Sequence, residues 1–131
     1  RFPAATSLVS RGIEETAFTF ASDAGTAAVM MTHNYERDTE ILPLLLKSDV
    51  FYIGALGPKR RTEQLLGELA ASGENFTKEQ LARLYAPAGL DIGADTPEAI
   101  ALSIIAEIQS VMKDRDGGHL RNRKGSIYDR K

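Results

Sequence analysis

His33 and Asp38 follow closely on the apolar run from Ala27 to Thr32, and Gly54-Ala55-Leu56-Gly57-Pro58-Lys59-Arg60-Arg61 follows a second apolar run. An imidazole where a chain leaves a sheet can donate to a ligand carbonyl, accept from a ring N–H or, when charged, meet a phosphate. It can equally hydrogen-bond the next helix and shape the turn. Asp38 is within reach to orient His33, and it also suits a helix start, where a carboxylate meets the positive end of the dipole. Gly54 and Gly57 allow backbone amides close to a ligand, while Lys59, Arg60 and Arg61 bring charge. Pro58 has no N–H to offer, and the spacing is not that of a Walker loop. The competing reading of this loop is a solvated basic helix start.

A second glycine-framed loop, Gly89-Leu90-Asp91-Ile92-Gly93, precedes a capped helix. Asp91 can accept N–H groups from a pterin or purine ring, or close its own turn, as aspartates between glycines commonly do. Glu98, Glu107 and Asp95 have no partner at acid–base spacing and read as solvated helix face. Met30 and Met31 read as core. No Ser-His-Asp set, paired catalytic carboxylates or metal cluster can be assembled, so no catalytic or metal-binding residue is assigned. These residues describe a crevice for a small anionic ligand rather than a site of turnover.

The elements that must hold these groups alternate between buried strands and helices. Thr26 to Thr32 is apolar on both parities, as suits a strand covered on both faces of a parallel sheet. A helix is expected over 35–47, with Pro43 kinking it or marking its true start. Val50 to Ile53 forms the next strand, closed by Gly54. An amphipathic helix follows over 62–71, ended by Ser72-Gly73. Thr77 with Gln80 fits a capping box for a short helix through about Tyr85.

The last helix is capped by Asp95 or Thr96, with Pro97 in its first turn. Ile100, Ile104, Ile108 and Val111 are spaced for burial, with Ala101 and Ile105 beside them. Upstream, Ser7-Leu8-Val9 suggests a short strand, Thr16 to Phe20 an edge strand or helical turn, and 22–25 a turn. The fold expected is α/β: a Rossmann-like open, mostly parallel sheet with helices on both faces. Ligands in such sheets sit outside the carboxyl ends of the strands. The usual opening unit, a strand, glycine-rich turn and helix, has no counterpart here, and the chain is expected to begin inside a longer protein.

The bulk numbers fit one soluble domain. The chain has 131 residues, 43% apolar and 26% charged, with a net charge of -2. A pI near 5.7 gives no general case for nucleic acid or an anionic membrane. The absence of Cys excludes disulfides and thiolate chemistry within these residues. No apolar run approaches the ~20 residues that span a bilayer, and cytoplasm is the default compartment. The expected organisation is a Rossmann-like domain over 1–113 and a basic tail over 114–131. From Lys113 onward seven basic residues stand against three acidic ones. Such a segment is expected to be a mobile tail or an arm that orders against a partner.

Three segments taken together, MTHNYERD, YIGALGPKRR and APAGLDIGADTPEAIALSIIAEI, resemble the XdhC/CoxI family of xanthine dehydrogenase accessory factors. The likeness is to the C-terminal Rossmann-like domain and extends to the GGHLRNRKG tail. It implies a molybdenum-cofactor chaperone that binds a molybdopterin-type cofactor, holds it during sulfuration and assists its insertion into a xanthine dehydrogenase-type molybdoenzyme. A cysteine desulfurase is the further partner implied. The cofactor-contacting positions implied are Thr32, His33 and Asp38, then Gly54, Gly57, Lys59 and Arg60, then Gly89, Asp91 and Gly93. The chain departs from the pattern at Pro58, where relatives often carry serine. A sheet edge left uncovered makes a homodimer an expectation. The alternative is an NAD(P)-binding oxidoreductase, which the missing G-x-G-x-x-G and the lack of a hydride-transfer base disfavour.

Overall fold

The computed structural model describes residues 6–8, 17–22, 25–31 and 34–123. The chain divides into two compact units, Arg1–Ala88 and Gly89–Lys131. The first holds a five-stranded sheet: β1 (Thr6–Leu8), β2 (Ala17–Ser22), β3 (Gly25–Met30), β4 (Tyr52–Ala55) and β5 (Leu84–Tyr85), ordered β1-β2-β3-β4-β5. Pairing is parallel between β3 and β4 and between β4 and β5. It is antiparallel between β1 and β2 and between β2 and β3. The fold is α/β, with three adjacent parallel strands extended by an antiparallel flank. The 17–22 segment is a full strand in a hairpin with β3, which decides between strand and helical turn.

Residues of β3 and β4 are buried on both parities, as parallel strands require. Ala28, Met30, Ile53 and Ala55 share one core with Ile41, Leu42, Leu45 and Leu46 of α1 (Tyr35–Leu46). Leu65 and Leu69 of α2 (Lys59–Ala71) join the same core. On the opposite parity Tyr52 is fully buried and stacks on Tyr85, with ring centroids 4.8 Å apart. Pro43 lies inside α1, not at its start, and its buried ring contributes to packing. Met30 is core as expected, whereas Met31 is 42% exposed because the strand has already ended.

Several boundaries differ from the sequence reading, and β4 runs over Tyr52–Ala55, so that Gly54 lies inside the strand and does not close it. Helix α3 spans only Lys78–Leu81, begun by the expected Thr77–Gln80 capping box. Leu84–Tyr85 is a strand and not the end of that helix. The Arg83 carbonyl accepts from Ile53 N at 2.8 Å, and the Arg83 guanidinium donates to the carbonyls of Leu46, Ser48 and Val50. That clamp satisfies carbonyls at the end of α1 and beyond, and it draws the following residues to the edge of β4.

The second unit is built on α4 (Pro97–Met112), capped by Thr96, whose side chain accepts from Ala99 N at 3.1 Å. Ile104 and Ile108 are buried with Ser103, as spacing predicts. Ile100, Ala101 and Ile105 are exposed and Val111 is intermediate, so the buried row is narrower than the apolar stripe. Residues 89–96 are irregular.

Gly54 is required by space. A Cβ there would lie 2.9 Å from the Tyr52 ring and 3.0 Å from Ala88 Cβ, and Ala88 N donates to Ala55 O at 2.9 Å. Gly54→Ala should therefore destabilise the chain by about 1–3 kcal/mol, as overpacking does. A urea midpoint unchanged from the parent would contradict this close approach.

Candidate functional site

Because Met30 and Ala55 are parallel partners, β3 and β4 end at the same edge of the sheet. Helices α1 and α2 start just beyond it, which brings two of the sequence-predicted segments to one rim. The two helix starts differ in chemistry. Asn34 caps α1, accepting from Glu36 N at 2.9 Å and Arg37 N at 3.3 Å, and Glu36 and Asp38 occupy the first turn.

Helix α2 opens with Lys59-Arg60-Arg61, three residues earlier than the apolar pattern alone indicates. Pro58 precedes it with no side-chain cap, and its first turn holds no acid. Cations at a helix N-terminus oppose the dipole, by roughly 0.3–1 kcal/mol each at exposed positions.

Arg61 is the exception among the three, because its Nη2 pairs with Asp38 Oδ2 at 3.0 Å. Its guanidinium also lies 5.8 Å from the centre of the Tyr35 ring. The Tyr35 hydroxyl donates to Glu68 Oε1 at 2.9 Å, and Gln64 Nε2 donates to Glu68 Oε2 at 3.3 Å. A polar seam thus joins the two helices. Loss of hydration and the Glu68 contact raise the Tyr35 pKa.

Asp38 is only 6% exposed, and its Oδ1 is buried without a hydrogen-bond partner among the described residues. Burial raises its carboxyl pKa, while the Arg61 guanidinium pulls in the opposite direction. Lys59 and Arg60 remain exposed at the rim. Gly57 has φ +98, a left-handed value that lets the chain turn into α2.

Thr32 and His33 lie outside the described residues. Asp38 meets Arg61, which is not among the positions the family resemblance implies, although it belongs to the same basic run. Gly89, Asp91 and Gly93 belong to the second unit. A Cβ on Gly89 would come 2.5 Å from Ser103 Oγ, and the Gly89 amide donates to Glu107 Oε1 at 2.8 Å. Glu107 therefore braces the 89–93 loop, contrary to its reading as a solvated face. The sequence carried no signal for this pairing, since the partners are far apart in the chain and one is a backbone amide. Asp91 and Gly93 are exposed, and Gly93 has φ +73. No group of three or more His, Asp or Glu suited to a metal occurs among the described residues. None of the described helices is long and apolar enough to cross a membrane.

The family model described as the XdhC Rossmann domain matches residues 1–108. The chain belongs to this family. This XdhC domain is 38% identical over 112 residues to a protein of Bacillus subtilis named as a probable xanthine dehydrogenase subunit, covering 86% of the chain and 31% of that protein. It is 32% identical over 89 residues to the molybdenum cofactor insertion chaperone PaoD of Escherichia coli, covering 68% and 27%. A crystal structure described as a xanthine dehydrogenase from Bacillus halodurans matches with a TM-score of 0.53 and 35% identity, over 73% of the chain and 25% of that protein. The XdhC domain thus spans less than a third of the length of each of these relatives.

The Asp38–Arg61 pair gives a direct titration test. A raised carboxyl pKa means that the folded chain holds the proton more tightly. This group's contribution to stability is full below its unfolded pKa and is lost as pH rises through the folded one. Carboxyl NMR should place the Asp38 midpoint above 3.8, and Arg61→Ala should move it further up. A downward move would show that the guanidinium is not the opposing influence.

Proposed function

We propose that the chain is the cofactor-holding domain of a molybdenum-cofactor chaperone that serves a xanthine dehydrogenase-type molybdoenzyme. The carrying observation is the start of α2. Two exposed cations, Lys59 and Arg60, occupy an uncapped first turn with no acid in it, directly after the Gly57 turn. That arrangement works against helix stability and favours an anion, because main-chain N–H groups and side-chain charge act together. The likeness to a protein named as a molybdenum cofactor insertion chaperone supports the same reading.

Molybdopterin supplies a dithiolene that carries molybdenum and a side arm ending in phosphate. The residues of the rim fit the phosphate end. Lys59, Arg60 and the first amides of α2 would hold it, and Asp38 would fix Arg61 beside them. Thr32 and His33 adjoin this rim in sequence. The reading places the protein in the cytoplasm, with a cysteine desulfurase as the source of sulfur and a homodimer formed through a sheet edge. Light scattering after gel filtration distinguishes dimer from monomer.

Incubation with molybdopterin, gel filtration and oxidation to the fluorescent pterin measures retention. Lys59→Ala with Arg60→Ala should lower it by about tenfold or more, the equivalent of ~1.4 kcal/mol. Equal retention by parent and double variant would remove the anion site from α2.

A further inference from the structure

Helix α4 presents two faces of opposite kind. Ser103, Ile104 and Ile108 are buried, whereas Leu102 is 60% exposed and Ile105 37%. A single exposed leucine is ordinary on a protein surface. These two belong to a longer row. Residues three and four apart share a helix face, so Leu102 and Ile105 continue, toward the helix start, the row of Ala106, Gln109, Ser110 and Lys113. The latter four line a cavity of about 1080 Å³ within the second unit.

The chain returning after α4 lines the same cavity. Asp114 takes a left-handed conformation, φ 56, and Arg115 N donates to Ser110 O at 2.7 Å. Gly117, φ +80, lies so close to Leu90 that a Cβ would come 3.2 Å from Leu90 Cδ2. A 3-10 turn over Leu120–Asn122 then leads to Arg123. Leu90 and Leu120 add apolar surface, and Leu120 is 50% exposed.

Charge gives this apolar row a direction. Residues 1–112 hold nine basic residues against fifteen acidic ones, while from Lys113 onward seven basic stand against three acidic. Lys113, Arg115 and Arg123 line the cavity, with His119 beside them. The negative end of α4 accounts for Lys113 and Arg115. Arg123 is returned to them by the glycine turn and the 3-10 turn, and its Nε is buried without a hydrogen-bond partner among the described residues. A buried donor left unmade is unfavourable, and a carboxylate brought from outside would relieve it. Of the two acids in the lining, Asp114 and Asp116, the second already accepts from Gly118 N at 2.9 Å through Oδ1.

A small ligand in the cavity would leave Leu102 and Ile105 uncovered. The row from Leu102 to Lys113 is ~16 Å long at the helical rise, the reach of about five residues of extended chain. Apolar surface edged by charge on that scale is characteristic of protein contacts.

We propose that this face of α4 and the returning segment bind an acidic peptide segment of a partner protein. Its leucine- or isoleucine-type side chains lie on Leu102, Ile105 and Leu120, and its carboxylates meet Lys113 and Arg123. The peptide needs nothing from the start of α2.

Peptides of about twelve random residues, displayed on phage and selected on the immobilised full chain, supply the probe. Recovered sequences should carry Asp or Glu beside Leu, Ile or Phe, and a labelled synthetic copy should lose affinity as salt rises. Arg123→Glu should weaken that copy about tenfold, and a Lys in place of one peptide acid should restore part of the loss. Lys78→Glu, the same change of charge on α3, should leave binding unchanged. Amide NMR shifts should appear at Gly117, Gly118 and Leu120, a readout that does not depend on any variant folding. Recovered peptides without acids, undiminished binding by Arg123→Glu, an equal loss in Lys78→Glu, or shifts confined to residues before Gly89 overturn the proposal. So does self-association of the chain that Leu102→Asp abolishes, because a second copy would then fill the row.

Discussion

The parallel pairing of β3 with β4 is the constraint on which the first unit depends. Two parallel strands cannot be joined by a tight turn, so the chain must cross over, and α1 is that crossover. Its apolar row can be buried only if Ala28 and Met30 face the same side as Ile53 and Ala55, which the observed register achieves. A slip of one residue would turn those side chains to the opposite face. The same pairing delivers the starts of α1 and α2 to one rim, so the placement of the candidate site is a consequence of how the core is filled.

At that rim, electrostatics divides three adjacent cations into two roles. Helix α2 has no acid in its own first turn, and α1 supplies one from across the interface, Asp38 to Arg61 at 3.0 Å. A pair so largely removed from water adds little net stability, because desolvation offsets much of the attraction. Its effect is to fix one helix start against the other, aided by the Tyr35 ring and the Tyr35–Glu68 hydrogen bond. With Arg61 committed to this seam, the exposed charge that α2 presents at its start is that of Lys59 and Arg60.

What could be read from the sequence follows the range of the forces involved. The Thr77 capping box, the Thr96 cap and the Ser72-Gly73 stop are local signals, and each stands where the pattern puts it, whereas the second buried strand is displaced by two residues, to Tyr52–Ala55. Long-range contacts were invisible. Arg83 reaches carbonyls more than thirty positions earlier in the chain, and this turned an expected helix end into β5. The hairpin of β2 with β3 depends on pairing that alternating Thr, Ala and Phe cannot specify alone. At the rim the basic run was legible, but the choice of Arg61 as the partner of Asp38 needed the helix geometry.

The glycines carry the last distinction. In a glycine-rich, basic loop it is natural to assign each glycine to a ligand, yet these have different physical reasons to be there. Gly54 admits the Tyr52 ring and Ala88, and Gly89 makes room for Ser103 while its amide is taken by Glu107. Gly57 alone of the three serves mainly to turn the chain, since a Cβ there would meet nothing closer than 3.9 Å. The anion site proposed at α2 therefore rests on its opening amides and on the side chains of Lys59 and Arg60. Gly57 determines where those groups stand. Substitution at Gly54 would consequently act on the proposed site through packing, and substitution at Lys59 or Arg60 through charge.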